Sequence, residues 1–175
     1  MKTINKIYEY ISFDTKIGRC FIAWSDLGIK RIELPKSVEL SKNKEFQYIK
    51  KNEKNIPVTI KELIDKIQEH IKEGRSDFSK VILDMSDISK YFQKVYNNLR
   101  KIKPGKTVSY KELALLCKSP DSARAVGSAM SKNPFLFVVP CHRVLSSDGK
   151  PGGFSAGDGI NTKKYLLAIE GKKIK

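Results

Sequence analysis

Paired cysteines, clustered histidines, long apolar runs and, in its second half, carboxylates are what this 175-residue sequence has little of. Its three cysteines, Cys20, Cys117 and Cys141, are odd in number and far apart, which excludes a disulfide framework. With only two histidines, His70 and His142, they offer no ligand spacing of the zinc type, so neither a metal nor a cofactor is expected. Unpaired thiols suit a reducing compartment, and a cytoplasmic protein is expected. No apolar stretch approaches the roughly 20 residues needed to span a bilayer, so no membrane association is expected. Met1 to Phe13 contain no apolar run ahead of a small-residue cleavage site. Acidic residues number 19 against 34 basic ones, a net charge of +15. Up to Asp84 there are 17 basic and 13 acidic residues; from Met85 onward there are 17 and 6. A basic segment poor in carboxylates attracts polyanions, nucleic acid foremost. Lysines that merely solvate a small protein are the competing explanation.

What is present divides at residue 86. Tyr8 to Phe13, Gly18 to Trp24 and Ile29 to Leu34 have strand character and short turns between them, which predicts an antiparallel meander with Cys20 in its core. Pro35 to Pro57 is rich in Lys, Asn and Glu, and reads equally as a solvated helix or an irregular connection. Thr59 and Glu62 have capping-box spacing, and Ile60, Leu63, Ile64, Ile67 and Ile71 recur with helical period up to Gly74. His70 lies on this helix, where an exposed or locally hydrogen-bonded histidine is expected. Val81 to Leu83 is a short candidate strand. Residues 1–86 thus form an N-terminal α/β domain without evident chemistry.

Residues 87–175 begin with a helix from Asp87 to Lys101 whose apolar face carries Ile88, Tyr91, Phe92, Val95, Tyr96 and Leu99. Pro104-Gly105 ends it. Ser109 and Glu112 then form a capping box for a helix with Leu113, Leu116 and Cys117 inward. A turn over Lys118 to Asp121 leads to a second helix, Ser122 to Lys132, closed by Asn133-Pro134; two short helices across such a turn suggest a helix-turn-helix. Ala123, Ala125, Gly127, Ser128 and Ala129 leave much of that second helix almost free of side chains, and a mid-helix glycine costs about 1 kcal/mol against alanine. Something approaches its backbone closely, either another helix or a groove of DNA.

The chemistry centres on Val138-Val139-Pro140-Cys141-His142-Arg143-Val144. Phe135 to Val139 is an apolar run that the proline ends, which predicts a buried strand stopping at Cys141. A free thiol near neutral pH is only a few per cent thiolate and needs a base. His142 can serve only if the chain turns there or a water bridges the two, because neighbours on a strand face opposite ways. Read by itself, Cys141 is either a nucleophile or a packed core thiol.

This stretch resembles the active-site signature of the O6-alkylguanine-DNA alkyltransferases, the methylated-DNA–protein-cysteine methyltransferases. The likeness runs from about Tyr91 to Gly171. It includes Pro104-Gly105, Val108-Ser109-Tyr110, Ala123-Arg124-Ala125-Val126-Gly127, Ala129-Met130, Asn133-Pro134, Gly153-Phe154-Ser155 and Leu166-Leu167-Ala168-Ile169-Glu170-Gly171. The resemblance implies an α/β (α+β) fold: a small N-terminal antiparallel-sheet-plus-helix domain of the RNase H-like kind, then a mostly helical winged helix-turn-helix domain. It implies irreversible, single-turnover transfer of an alkyl group from O6-alkylguanine, and from O4-alkylthymine, to Cys141 after the base is flipped out of the duplex.

The roles carried over are these. His142 activates the thiol through a water and Glu170 orients His142; Tyr110 donates to a ring nitrogen; Asn133 braces the turn around the cysteine. Ser155 lies near O6. Arg124 fills the gap left by the base, the alternative being a phosphate contact, and Tyr110 has a plain core role as its alternative. Ala123, Gly127, Ser128, Arg143 and Val144 complete the DNA and substrate contacts. The expected partner is double-stranded DNA bound through its minor groove by a monomer, associated with the nucleoid when on DNA. Around Gly149 to Gly159 the sequence departs from the family pattern: Phe154 stands for a tyrosine, Ala156 for a glycine, and Gly157 to Asn161 is longer. A non-catalytic DNA-binding module and a Cys-His hydrolase are the other classes weighed; the cysteine argues against a lesion sensor, and nothing announces an oxyanion hole.

Overall fold

The computed structural model describes residues 6–35 and 46–174. The three expected strands form: β1 (Lys6–Thr15), β2 (Gly18–Ser25) and β3 (Gly28–Glu33), paired antiparallel in sequence order. Their alternation sends Ile11, Phe13, Cys20, Ile22 and Trp24 to one buried layer. A fourth strand, β4 (Phe46–Lys50), runs parallel to β1 and gives the order β3-β2-β1-β4, so the sheet is mixed rather than purely antiparallel. It falls in the Lys/Asn-rich stretch that the sequence left open; a turn of 3₁₀ helix follows at Glu53–Asn55, and residues 36–45 of that stretch lie outside the described residues.

Helix α1 (Val58–Glu73) lays Ile60, Leu63, Ile67 and Ile71 on the sheet. Its N-cap is Pro57, whose fixed φ suits the position, so Thr59 sits inside the first turn and the expected Thr59–Glu62 box is not made. Gly74 closes the helix with φ 70°, a left-handed cap. Val81 to Leu83 supplies a single bridge to Ile29 instead of a strand.

Helix α2 (Lys90–Leu99) is capped by Ser89 and buries Val95, Tyr96 and Leu99. A two-residue strand, β5 (Val108–Ser109), pairs in parallel with β6 (Val144–Leu145). This short pairing has a large positional effect, because β5 leads directly into Tyr110 and β6 directly follows Arg143. Helix α3 (Tyr110–Leu116) starts with the expected box: Ser109 N–H donates to Glu112 at 2.7 Å and Glu112 N–H to the Ser109 hydroxyl at 3.1 Å. Leu113, Ala114 and Cys117 face inward, whereas Leu116 is half exposed. At about 100° per residue it lies roughly 60°, a sixth of a turn, beyond the arc that those three define.

Helix α4 (Ala123–Ser131) and helix α5 (Ile160–Ile169) complete the order, with α3 and α4 packed together as a helix-turn-helix. One apolar cluster runs from the sheet and α1 through α2, α3 and α4 to Phe135–Val139 and Leu166, so the two halves of the chain share a core. At their seam Ile32 N–H donates to Pro134 O at 2.8 Å. No helix among the described residues is long and apolar enough to cross a membrane.

Candidate active site and nucleic-acid interface

The segment before the cysteine is not the expected strand. Phe135 makes one bridge to Ile32, after which Val139 N–H donates back to Phe135 O at 2.7 Å and Phe137 takes φ 67°. A bulky residue in the left-handed region stores on the order of 1 kcal/mol or more, and persists only where its surroundings over-determine it. Asn133 does much of that: its Oδ1 accepts from Phe135 N–H at 2.9 Å and its Nδ2 donates to Val139 O at 2.8 Å, tying both ends of the turn. Side-chain bonds thus replace a ladder, and the β-branched propensity of the run is overridden. Pro140 follows, then a turn of 3₁₀ helix over Cys141–Arg143. The chain turns at the cysteine, the condition under which His142 can serve it.

Behind Cys141 lies a buried polar knot around Glu170, the C-cap of α5. His142 Nε2 is 2.8 Å from Glu170 Oε1, and Arg143 donates to both carboxylate oxygens at 2.8 to 3.2 Å. Gly105 N–H reaches Oε2 at 3.3 Å, and Arg143 also donates to the Ile102 carbonyl. Burial works to raise the pKa of Glu170, but the bonds from His142, His70 and Arg143 outweigh it and hold the group far below the usual carboxylate range. An ionised carboxylate only accepts, so the His142 proton resides on Nε2 and Nδ1 keeps its lone pair. Burial pushes the His142 pKa down to about 4 against the pull of Glu170, so the ring rests neutral. Burial also raises the Cys141 thiol, opposed by Asn133 and by the charge of Lys163. The resting pair is a protonated thiol and a neutral imidazole that can act as a base.

Sequence reasoning missed two members of this site. His70, expected to be exposed or locally bonded, is completely buried, with Nε2 3.1 Å from Glu170 Oε1, a hundred residues away in the chain. Lys163 is completely buried as well; its Nζ donates to Val144 O at 2.6 Å and lies 6.0 Å from the centre of the Phe154 ring. Burial lowers its pKa to about 8. A lysine in the middle of an otherwise buried helix face was the available signal.

Two expected DNA contacts are corrected. Arg143 is only 4% exposed and committed to Glu170, and Val144 is fully buried in β6 with its carbonyl on Lys163. Both build the site from within, because β6 runs through the interior. His70, His142 and Glu170 place three ligand-type atoms within 4.8 Å of one another, a grouping no sequence spacing revealed. The Arg143 guanidinium already occupies both Glu170 oxygens, so these donors fit a proton relay and do not fit a divalent cation.

Cys141 opens on a cleft of about 560 Å³ lined by Tyr110, Met130, Asn133, Phe154 and Ser155, with Arg31 and Glu33 on the β3 side. Tyr110 is half buried, and its hydroxyl has a pKa raised by burial and by the nearby thiol. Gly152, with φ 61°, passes so close that an added Cβ would lie 3.1 Å from the Tyr110 hydroxyl. Ser155 is exposed at the rim.

The cleft extends to Gly127 and Ser131 on α4. An added Cβ at Gly127 meets nothing within 4 Å, so no neighbouring element of this fold requires that glycine; helix packing explains Ala129, buried with its carbonyl on the Tyr96 hydroxyl, but not Gly127. Ser128 is exposed beside it and Ala123 is half buried. Arg124 projects from the same helix, exposed and without a side-chain hydrogen bond or ion pair among the described residues.

Comparison with known proteins now bears on this geometry. Residues 90–172 match the family model described as the DNA-binding domain of 6-O-methylguanine DNA methyltransferase. The methylated-DNA–protein-cysteine methyltransferase of Methanothermobacter thermautotrophicus is 34% identical over 150 residues, covering 86% of this chain and 78% of that one. The chain belongs to the methylated-DNA–protein-cysteine methyltransferase family. The mouse methyltransferase of the same name is 49% identical, over 79 residues that cover 45% of this chain and 37% of that one. Among solved structures, Mycobacterium tuberculosis OGT in complex with DNA superposes with a TM-score of 0.75 at 29% identity, covering 93% of each chain. The O6-methylguanine-DNA methyltransferase of Pyrococcus kodakaraensis does so with a TM-score of 0.65 at 25% identity, over 94% and 99%. The methyltransferase fold therefore spans both halves of this chain, including the sheet part that the family model leaves unmatched.

Proposed function

We propose that this protein repairs DNA by moving the alkyl group of O6-alkylguanine, and of O4-alkylthymine, onto its own Cys141. The observation that carries the reading is the place of the thiol: Cys141 lines a cleft of about 560 Å³ and opens the turn whose next residue, His142, is bonded to Glu170. The thiol proton passes through a bridging water to Nδ1 of His142, and Glu170 compensates the imidazolium that results. Sulfur attacks the alkyl carbon in line; the S–C bond forms as the C–O6 bond breaks. The electron pair moves onto the guanine ring, where Tyr110 donates a proton to a ring nitrogen and Ser155 a hydrogen bond near O6. The product is a thioether and an unmodified guanine. A thioether has no good leaving group, so each molecule acts once.

The bare face of α4 supports close approach to a duplex, and we assign it to the minor groove, with Ala123, Gly127 and Ser128 against the backbone. Readout of sequence there is intrinsically poor, which suits repair in any context. Arg124 enters the stack in place of the extruded base. Residues 87–175 carry the DNA contacts and the thiol, and residues 1–86 support them. A monomer suffices, since every group named lies in one chain. Three free, buried cysteines suit a reducing cytoplasm.

Incubation with duplex DNA carrying O6-methylguanine labelled in its methyl group tests this. Label moves to protein once and in equimolar amount, and Cys141→Ala abolishes transfer while still binding DNA. Transfer by that variant, or repeated turnover, contradicts the reading.

A further inference from the structure

We propose that His70, from the N-terminal half, restrains the Glu170–His142 pair and so keeps Cys141 from giving up its proton before a substrate base arrives; this rests on the transfer reaction proposed above. Oε1 of Glu170 serves two imidazoles, His142 Nε2 at 2.8 Å and His70 Nε2 at 3.1 Å. The carboxylate is ionised, so both rings donate. His70 Nδ1 is buried without a hydrogen-bond partner, which leaves Nε2 as the ring nitrogen that bonds to the carboxylate. The ring stands edge-on to Phe78 and Phe137, with centroids 5.3 and 6.1 Å away, so no solvent competes for it.

Close contact between the ends of α1 and α5 fixes this arrangement. Gly74 caps α1 where any Cβ would collide with the Ile169 carbonyl and the Glu170 amide, and Tyr165 donates to Ile71 O at 3.0 Å. Glu170 does not need His70 for orientation, because the Arg143 fork and Gly105 N–H already fix both oxygens. What His70 adds is a further donor on the oxygen that His142 uses. Each added donor spreads the carboxylate charge and weakens its hold on an imidazolium at His142.

The other groups facing this relay are Arg143 on Glu170, and Lys163, Tyr96 and Tyr110 around the thiol, from α5, α2 and α3. None of them hydrogen-bonds to His70 among the described residues. A protein consumed by one reaction gains from a thiol that stays protonated against stray electrophiles. His70 is in this sense a positioning residue of the relay, contributed by the half of the chain that holds no reacting atom.

The test is the pH profile of Cys141 alkylation by iodoacetamide in the full chain, read by mass on the Cys141 peptide. In His70→Leu the profile moves to lower pH by about half a unit, which makes the reaction about threefold faster at pH 7. His70→Gln, whose amide can donate to the same oxygen, follows the wild-type profile. A His70→Leu profile that superposes on wild type, or moves to higher pH, overturns the proposal. The wild-type protein gives a check that needs no variant: ring ¹⁵N shifts report a proton on Nε2 of His70, and an Nε2 without one overturns the donor assignment. Methyl transfer from O6-methylguanine DNA by wild type is measured alongside, so failure of the transfer reading registers separately.

Discussion

Glu170→Gln changes one atom type at the centre of the buried knot, and its cost can be worked from the contacts. The carboxylate accepts from Arg143, His142, His70 and Gly105, all of them donors. An amide offers one acceptor and turns an NH₂ toward one of those donors, leaving the Arg143 charge, 4% exposed, without its counter-ion. Breaking a buried ion pair from one side costs about 3–5 kcal/mol, a large part of the roughly 5–15 kcal/mol that holds a domain folded. For a chain of this size that corresponds to a fall in Tm of about 6–20 °C. Urea unfolding is the direct assay, with the midpoint falling and the slope unchanged. Methyl transfer, followed as a single-turnover rate below the unfolding temperature, drops at least ~100-fold because His142 loses the group that fixes its tautomer. A stability change below about 1 kcal/mol together with a rate within threefold of wild type would refute the reasoning.

Asn133→Ala removes both bonds that tie the Phe135–Val139 turn and leaves the Phe135 amide unpaired, while the Val139 carbonyl keeps the Cys141 N–H; a loss of about 1–3 kcal/mol and faster proteolysis near Phe137 are expected, checked by urea melts and limited digestion. Arg124→Ala slows repair of a lesion in duplex DNA far more than reaction with free O6-methylguanine, measured as two second-order rate constants; equal losses would remove Arg124 from the base-flipping step. Acid destabilises the fold with a definite sign. The folded-state pKa of His142 lies below its ordinary 6.5, so its contribution is present at neutral pH and is lost as pH falls toward about 4, amounting to on the order of 3 kcal/mol. Glu170, also lowered, adds loss as pH falls below the ordinary carboxylate range; a urea midpoint unchanged between pH 7 and pH 4 would contradict the first, and one unchanged on further acidification would contradict the second.

How much of this was legible in the sequence varied with the range of the interaction involved. The three strands, the Ser109–Glu112 cap and the two helices around the Lys118 turn rest on local periodicity and local hydrogen bonds, and they stand where those signals put them. Asn133, His142 and Glu170 came from a family pattern; the structure bonds Asn133 to the Val139 carbonyl just before Cys141 and His142, just after it, to Glu170. The Phe135–Val139 run misled because its apolar β-branched composition suits a strand, whereas Asn133 and the seam with Ile32 fold it into a turn. β4 was hidden for the opposite reason: a strand made by pairing with β1 needs little periodicity of its own. His70 was illegible because its partner is a hundred residues distant and its own helix gives no sign of one. Arg143 was placed among the DNA contacts with the family pattern, and the buried position of Glu170 shows where its charge goes.

The central claim is that the Cys141 sulfur keeps the carbon it takes from DNA. The most direct test exposes the intact protein to excess duplex carrying O6-methylguanine and then maps its peptides by mass. The account predicts a gain of a single CH₂, confined to the peptide that contains Cys141 and complete at one per molecule. A gain on Cys20 or Cys117, or an unmodified protein beside repaired DNA, would contradict it.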